Sequence, residues 1–215
     1  MNSQQAIERI RLGVARFQAE VFPGQRGRFE TLAHRQDPIA LFITCTDSRI
    51  VPNLITQTGP GDLFVERNPG NLVPRHRDLV VNVSASLEYA LLVLKVPLVI
   101  ICGHTDCGVM KGLLRPETVE RLPAIRQWMG HARGVREQVL GKYSDRAEQD
   151  QLFFITQQNI LLQIENLKTY PSVQVRLDAG ELEIHGWVYD IAAGACWSVN
   201  PALGRFEVLG AKDNP

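Results

Sequence analysis

At 215 residues the chain is long enough to bury a sizeable core as a single domain. Its 23 basic and 23 acidic residues cancel, and neither sign gathers on a plausible helix face, which argues against a nucleic-acid groove or a membrane-surface helix. No cationic start with an apolar signal core opens the sequence, and the longest apolar runs are too short to span a bilayer, so a soluble, cytoplasmic protein whose four cysteines stay reduced is expected.

Residues 3–20 carry Ala6, Ile10, Val14 and Phe17, with Val21 just beyond, near the spacing of one helical stripe, and Pro23-Gly24 is expected to stop the run. Such a helix needs an apolar surface to cover, either its own sheet or a partner subunit's. A short helix around Gly27 to Arg35 and the Asp37-Pro38 break lead into the first strand. The run Ile39 to Ile43 is continuously apolar and reads as a strand buried on both faces, delivering Cys45, Asp47 and Arg49 just past its carboxyl end. In open α/β sheets ligands bind there.

Pro52 and the Gly59 to Gly61 turn precede a second strand, Asp62 to Glu66, and an irregular loop, Arg67 to Arg77. From Asp78, a candidate N-cap, the pattern becomes helical, with Leu79, Val80, Val83, Leu87, Ala90, Leu91 and Leu94 along one face. The strand Val96 to Cys102 follows at once and ends in GHTDCG, which places His104 and Cys107 beyond it. A strand, helix, strand succession implies parallel pairing. Gly108 to Leu114 begins a helix just behind Cys107, with its free N–H groups toward the same edge. Residues 117–142 suggest short surface helices, and Gln149 to Tyr170 a longer one with Ile160, Leu161, Ile164 and Leu167 on one face, ended by Pro171. Leu182 to Ile191 and Ala195 to Val199 read as a hairpin, and Phe206 to Leu209 as a last strand. The fold class is therefore α/β: one domain over 1–215 with a mainly parallel sheet flanked by helices, made of an N-terminal helical arm, 1–36, and a core, 37–215.

Two strand ends thus bring one imidazole and two thiols to the same edge. Two thiolates and an imidazole with no fourth protein ligand nearby describe an open zinc site, because catalytic zinc keeps one position for water. Arg49 can hold the Asp47 carboxylate by a forked, charge-assisted pair, leaving it to accept the proton of a metal-bound hydroxide and orient that hydroxide's lone pair toward an electrophile. A carboxylate two residues from a ligand is also able to swing onto the metal and displace that water.

The pair CTDSR and GHTDCG resembles the β-class carbonic anhydrases, and the likeness extends through Gly61 to Val65, Arg67-Asn68, Gly70-Asn71, Ser84 to Ser86 with Glu88 to Ala90, Met110 to Gly112, Thr169 to Val173 and His185 to Asp190. Within that class it looks closest to bacterial and cyanobacterial members related to the plant-type branch. The resemblance implies zinc on Cys45, His104 and Cys107, a catalytic dyad of Asp47 and Arg49, and reversible hydration of carbon dioxide to bicarbonate. It further implies that Gln36 hydrogen-bonds substrate, that Phe64 and Tyr89 line an apolar pocket, and that the Gly108 N–H donates to bicarbonate. It implies a homodimer, with assembly to tetramer or octamer in the family, in which the N-terminal helix embraces the partner and pocket residues come from both protomers.

Where one branch has the Trp of an allosteric bicarbonate site, this chain has Phe42; Arg67 and Tyr189, the rest of that trio, are present. The chain also departs from its relatives at Pro69 and at Val81-Asn82. His34, His76 and His131 are candidate proton shuttles. The rival readings are a structural or regulatory zinc protein, for which Cys102 is the candidate fourth ligand, and a thiol-redox protein, which the lack of a Cys-x-x-Cys pair disfavours.

Overall fold

A computed structural model describes residues 1–78, 80–200 and 204–210. Leu79, expected on the apolar face of the helix from Asp78, lies outside the described residues. Met1–Asp37 forms one compact unit and the chain from Pro38 onward a second.

In the first unit the helix Ser3–Arg16 opens on a capping box, in which the Asn2 Oδ1 accepts from the Gln5 N–H at 2.9 Å and the Gln5 Oε1 accepts from the Asn2 N–H at 2.9 Å. The run does not stop at Pro23-Gly24. It passes through one wide π-helical turn, Phe17–Val21, into a second helix, Phe22–Leu32, that absorbs most of the separate helix expected around Gly27. Pro23 sits in the first turn of this second helix, where a missing N–H breaks no intrahelical bond. The rings of Phe17, Phe22 and Phe29 pack together, with centroids 6.1 Å apart for Phe17 and Phe22, 5.8 Å for Phe17 and Phe29, and 5.5 Å for Phe22 and Phe29. Farther up the stripe, Ile10 is 63% exposed and Val14 51%.

The second unit is built on six strands: β1 (Ala40–Cys45), β2 (Leu63–Asn68), β3 (Leu98–His104), β4 (Glu183–Asp190), β5 (Ala195–Asn200) and β6 (Arg205–Val208), side by side in the order β2-β1-β3-β4-β5-β6. The first four are parallel, and β4–β5 and β5–β6 are antiparallel, so the sheet is mixed at its C-terminal side as the hairpin reading implied. From β1 the chain moves outward to β2, then returns to the other flank of β1 for β3. The order reverses between β1 and β3, which opens a crevice at their carboxyl ends.

Every residue of β1 is buried, and alternate side chains serve different interiors. Leu41 and Ile43 join Val99 and Ile101 under the helix Val81–Glu88, whereas Ala40 and Phe42 join Ile100 and Cys102 on the opposite face. The strands run slightly farther than the apolar pattern suggests: Cys45 and His104 are the last residues of β1 and β3 rather than residues beyond them. Likewise β2 takes Arg67 and Asn68 from the expected loop. Hydrogen bonding to a neighbouring strand overrides side-chain polarity at such ends.

The helix expected from Asp78 starts at Val81 instead, capped by Val80, because Asp78 belongs to a separate short turn, His76–Asp78. Two short helices escaped the sequence reading, Pro52–Thr56 and Pro171–Asp178, each opened by a proline in its first turn. Pro171 therefore both ends the long helix, Glu148–Leu167, and begins the next. The short helices over residues 116–143 are not merely superficial: Met129, Ala132, Val135 and Val139 are buried in a core with Leu72, Met110 and Ile155.

The long helix lies close against the sheet where β3 and β4 carry glycine. A Cβ added at Gly186 would sit 2.6 Å from Ile160 Cγ2 and 2.9 Å from Ile164 Cδ1. Gly186→Ala is therefore expected to push the helix away from β4 and to cost about 1–3 kcal/mol, read as a lower midpoint in urea unfolding. An unchanged midpoint would mean that the helix can shift without loss.

Candidate metal centre

At the crevice between β1 and β3, Cys45, His104 and Cys107 converge. One ligand atom from each lies within 4.8 Å of the others, and all three side chains are buried. Cys45 and His104 come from adjacent strand ends, and Cys107 follows by one turn that uses a left-handed Asp106, φ 62°. The two sulfurs are 4.0 Å apart.

Each donor is prepared by its surroundings. His104 Nδ1 lies 2.9 Å from the Thr105 carbonyl oxygen, which can only accept, so the ring carries its proton there. Nε2 is left with a lone pair, buried and without a hydrogen-bond partner among the described residues. An orphaned buried acceptor aimed at two thiols is what a metal ligand looks like without its metal, and the thiol and imidazole donors suit zinc. Cys45 receives the Gly70 N–H at 3.3 Å. Its thiol is pushed down to about 4, chiefly by the hydrogen bond from Cys107, with the Gly70 N–H helping. The Cys107 thiol is driven well up by the same bond and by burial. The pair therefore holds one proton between the two sulfurs.

Asp47 and Arg49 lie beside this group. Arg49 Nε donates to Asp47 Oδ1 at 3.0 Å and Nη2 to Oδ2 at 2.7 Å, a forked pair, and the Arg49 N–H adds 3.0 Å to Oδ1. These bonds hold the Asp47 carboxyl well below the usual carboxylate range. Asp47 Oδ2 is 3.8 Å from His104 Nε2, within reach of the same centre. The guanidinium is gripped from its other side, since Nη1 donates to Asp106 Oδ2 at 3.0 Å and Nη2 to the Asp106 carbonyl at 3.2 Å. Asp106 in turn pairs with Lys111, so Arg49 bridges two carboxylates.

The sequence reading missed Asp106 and Lys111, although Thr-Asp stands in both CTDSR and GHTDCG. It also missed a polar stripe on the long helix. Asn159, Gln163 and Asn166, buried at helical spacing, hold the segment that follows β2: Asn159 donates to the Gly70 carbonyl at 3.2 Å, Gln163 accepts from the Val73 N–H at 2.8 Å, and Asn166 donates to the Val73 carbonyl at 2.9 Å. That segment carries the Gly70 N–H to Cys45. Its spacing was as legible as the apolar one beside it, but buried amides are unusual enough that apolar residues were preferred. Pro69 also falls in this segment, with its carbonyl accepting from Trp128 Nε1 at 2.7 Å, whereas Val81 is exposed at the start of its helix.

Other expected site residues lie elsewhere. Gly108 is the first residue of the helix Gly108–Leu114, so its N–H has no partner within the helix, and a Cβ there would meet nothing within 4 Å. Phe64 and Tyr89 stack with centroids 5.8 Å apart. Phe64 faces Leu41 in the register, however, and Asn68 faces Cys45, which puts Phe64 roughly 13 Å down the sheet from the cysteine of its own chain. Gln36 is exposed in the N-terminal unit. Cys102 is not part of the converging group: it is fully buried with Ala40, Phe42 and Ile100, and burial pushes its thiol up. Phe42 is buried against Trp187, and Arg67 is spent on the carbonyls of Cys45, Asp47 and Ile50 at 2.9, 2.8 and 3.0 Å. His76 sets its ring edge-on to Tyr170, and His131 to Trp128.

Residues 40–196 match the family model described as carbonic anhydrase. The chain is 46% identical over 183 residues to a carbonic anhydrase of Synechococcus elongatus, covering 85% of this chain and 67% of that one. Among solved structures it resembles the β-carbonic anhydrase CcaA, with a TM-score of 0.92 at 41% identity over 94% of this chain and 99% of that one. It also resembles tetrameric β-carbonic anhydrases of the ascomycete Sordaria macrospora, with a TM-score of 0.80 at 28% identity over 96% of this chain and 98% of the other. No helix among the described residues is long and apolar enough to cross a membrane.

Proposed function

The chain belongs to the β-carbonic anhydrase family, the carbonate dehydratases, and from that premise we propose how its own residues carry out the reversible hydration of carbon dioxide to bicarbonate and a proton. Cys45, His104 and Cys107 hold one zinc ion. The observation that carries this reading is the convergence of three buried donors on one point, with His104 Nε2 lacking any other partner. When bound there, zinc supplies a Lewis acid that brings the ionisation of a water toward neutrality, less strongly with two thiolates than with three imidazoles.

Asp47 accepts a hydrogen bond from the hydroxide left when the water gives its proton to solvent, and so aims the lone pair of the attacking oxygen at carbon. It can do so because Arg49 occupies the other face of the carboxylate and fixes its position. Arg49 stays in place because Asp106 holds it from behind. The Gly108 N–H, unpaired within its helix, donates to an oxygen of the bicarbonate that forms. Phe64 and Tyr89 line the apolar pocket for carbon dioxide, and Gln36 hydrogen-bonds the substrate. They act across a homodimer, on the partner's metal, since Phe64 lies far down the sheet from its own. The exposed stripe of Ile10 and Val14 is the arm of that dimer, the unit from which tetramers and octamers of the family are built. The enzyme acts in the cytoplasm on a small-molecule substrate, with neither nucleic acid nor membrane as partner.

Zinc analysis together with stopped-flow carbon dioxide hydration tests the assignment. One zinc per chain with rapid hydration is expected; a zinc-loaded protein with no hydration would favour the non-catalytic alternative. That alternative gains nothing from Cys102, which lies outside the converging group.

With Phe42 in place of Trp, and with Arg67 occupied by three carbonyls, bicarbonate has no regulatory seat. Initial hydration rates against added bicarbonate, at fixed pH and ionic strength, are expected to show product competition alone. A sigmoidal decline would mean that the incomplete trio still takes an effector.

A further inference from the structure

A cavity of about 500 Å³, sharing no residue with the metal centre, is walled by Arg75, Arg77, Asp78, His131 and Arg133, with Asn166 among its lining side chains. We propose that this cavity binds a small phosphate monoester.

Charge selects the class of ligand. Asp78 faces Arg77 Nε at 3.7 Å and His131 Nδ1 at 3.6 Å, and among the described residues it is the only carboxylate beside three lining guanidiniums. Two positive charges are left unmatched, which a dianion balances and a monoanion such as bicarbonate does not. Arg75 donates from Nε to Oδ1 of the buried Asn166 at 3.2 Å, which fixes one edge of its guanidinium and leaves both Nη groups without a partner among the described residues. The Arg133 guanidinium has no hydrogen-bond or ion-pair partner among the described residues. Guanidinium forks match phosphoryl oxygens in pairs, and a phosphate monoester is mostly doubly charged near neutral pH.

Size selects the ester over the bare ion. About 500 Å³ is within the range of small-molecule sites and exceeds what inorganic phosphate fills. Gln127 and Leu162 also line the cavity, offering an amide and an apolar contact to an organic body.

The test is calorimetric titration of the full-length, zinc-loaded protein with glycerol 3-phosphate and, separately, inorganic phosphate, at constant ionic strength. The ester is expected to bind more tightly than phosphate. Arg133→Gln is expected to weaken it on the order of tenfold or more, since hydrogen bonds to charged groups are the strong ones. The same variant should keep its zinc and its hydration rate. Equal ester affinity in Arg133→Gln would place the anion at the metal centre and overturn the proposal. So would the absence of binding at millimolar ester, or phosphate binding as tightly as the ester.

Discussion

Cys107→Ala is expected to lose its zinc and, with it, carbon dioxide hydration. Zinc binding to a full set of protein ligands is worth about 10–16 kcal/mol, so one of the three ligands here carries several, and its removal should weaken zinc binding roughly a thousandfold or more. The side chain is 1% exposed and packs in the core with Leu72 and Met110, so some instability must be separated from metal loss. Cys107→Ser, closer in size, is the control for that: it should fold and yet hold zinc poorly. Cys196→Ala and Cys102→Ala should keep one zinc per chain, because neither sulfur belongs to the converging group. A Cys107→Ala protein with full zinc and full activity would refute the ligand assignment.

The same pair of thiols sets a pH dependence. Without metal, the shared hydrogen bond holds the Cys45 thiol well below the ordinary thiol range, while Cys107 keeps its proton well above it. At neutral pH zinc must therefore expel about one proton to gain its second thiolate, so affinity should rise roughly tenfold per pH unit until Cys107 ionises unaided. Proton release during zinc titration in weakly buffered solution measures this. No release would mean that both thiols were already ionised.

The centre was legible in the sequence because apolar runs mark buried strands, and the residues at their ends need no long-range information to be placed on one edge. Cys45, His104, Cys107, Asp47 and Arg49 all follow from two such runs. What the pattern could not give is the packing of segments far apart in sequence. The Asn159, Gln163 and Asn166 ladder means nothing until Gly70 and Val73 are known to lie against it. Asp106 acquires its part only when the turn after β3 folds it behind Arg49. Pro23 misled because it begins a helix rather than ending one, and Pro171 does both, because the same residue suits both places. Phe64 and Tyr89 illustrate a further limit, since the role proposed for them across a dimer would leave no trace in the periodicity of one chain.

Separating the dyad from the metal gives the second large effect. Asp47 and Arg49 can both be changed without removing a ligand, so zinc content should stay near one per chain in either variant, in contrast to Cys107→Ala. In Asp47→Asn the amide fills the space of the carboxylate but is an uncharged, weaker acceptor for the hydroxide proton, and loss of a group that acts mainly in the transition state should lower turnover by roughly a hundredfold or more. Arg49→Ala acts differently. Its guanidinium holds the Asp47 carboxylate turned aside, and Oδ2 already lies 3.8 Å from His104 Nε2. Released, the carboxylate should move onto the metal as a fourth ligand and exclude water. X-ray absorption at the zinc edge should then find two sulfurs, one nitrogen and one protein oxygen at neutral pH, with activity recovering in part at high pH as hydroxide competes for the position. Asp47→Asn combined with Arg49→Ala should lack that protein oxygen, which identifies its source. An Arg49→Ala protein with near-normal turnover and a water on its zinc at every pH would reduce Arg49 to an ordinary surface side chain and leave the position of Asp47 to be explained by the backbone alone.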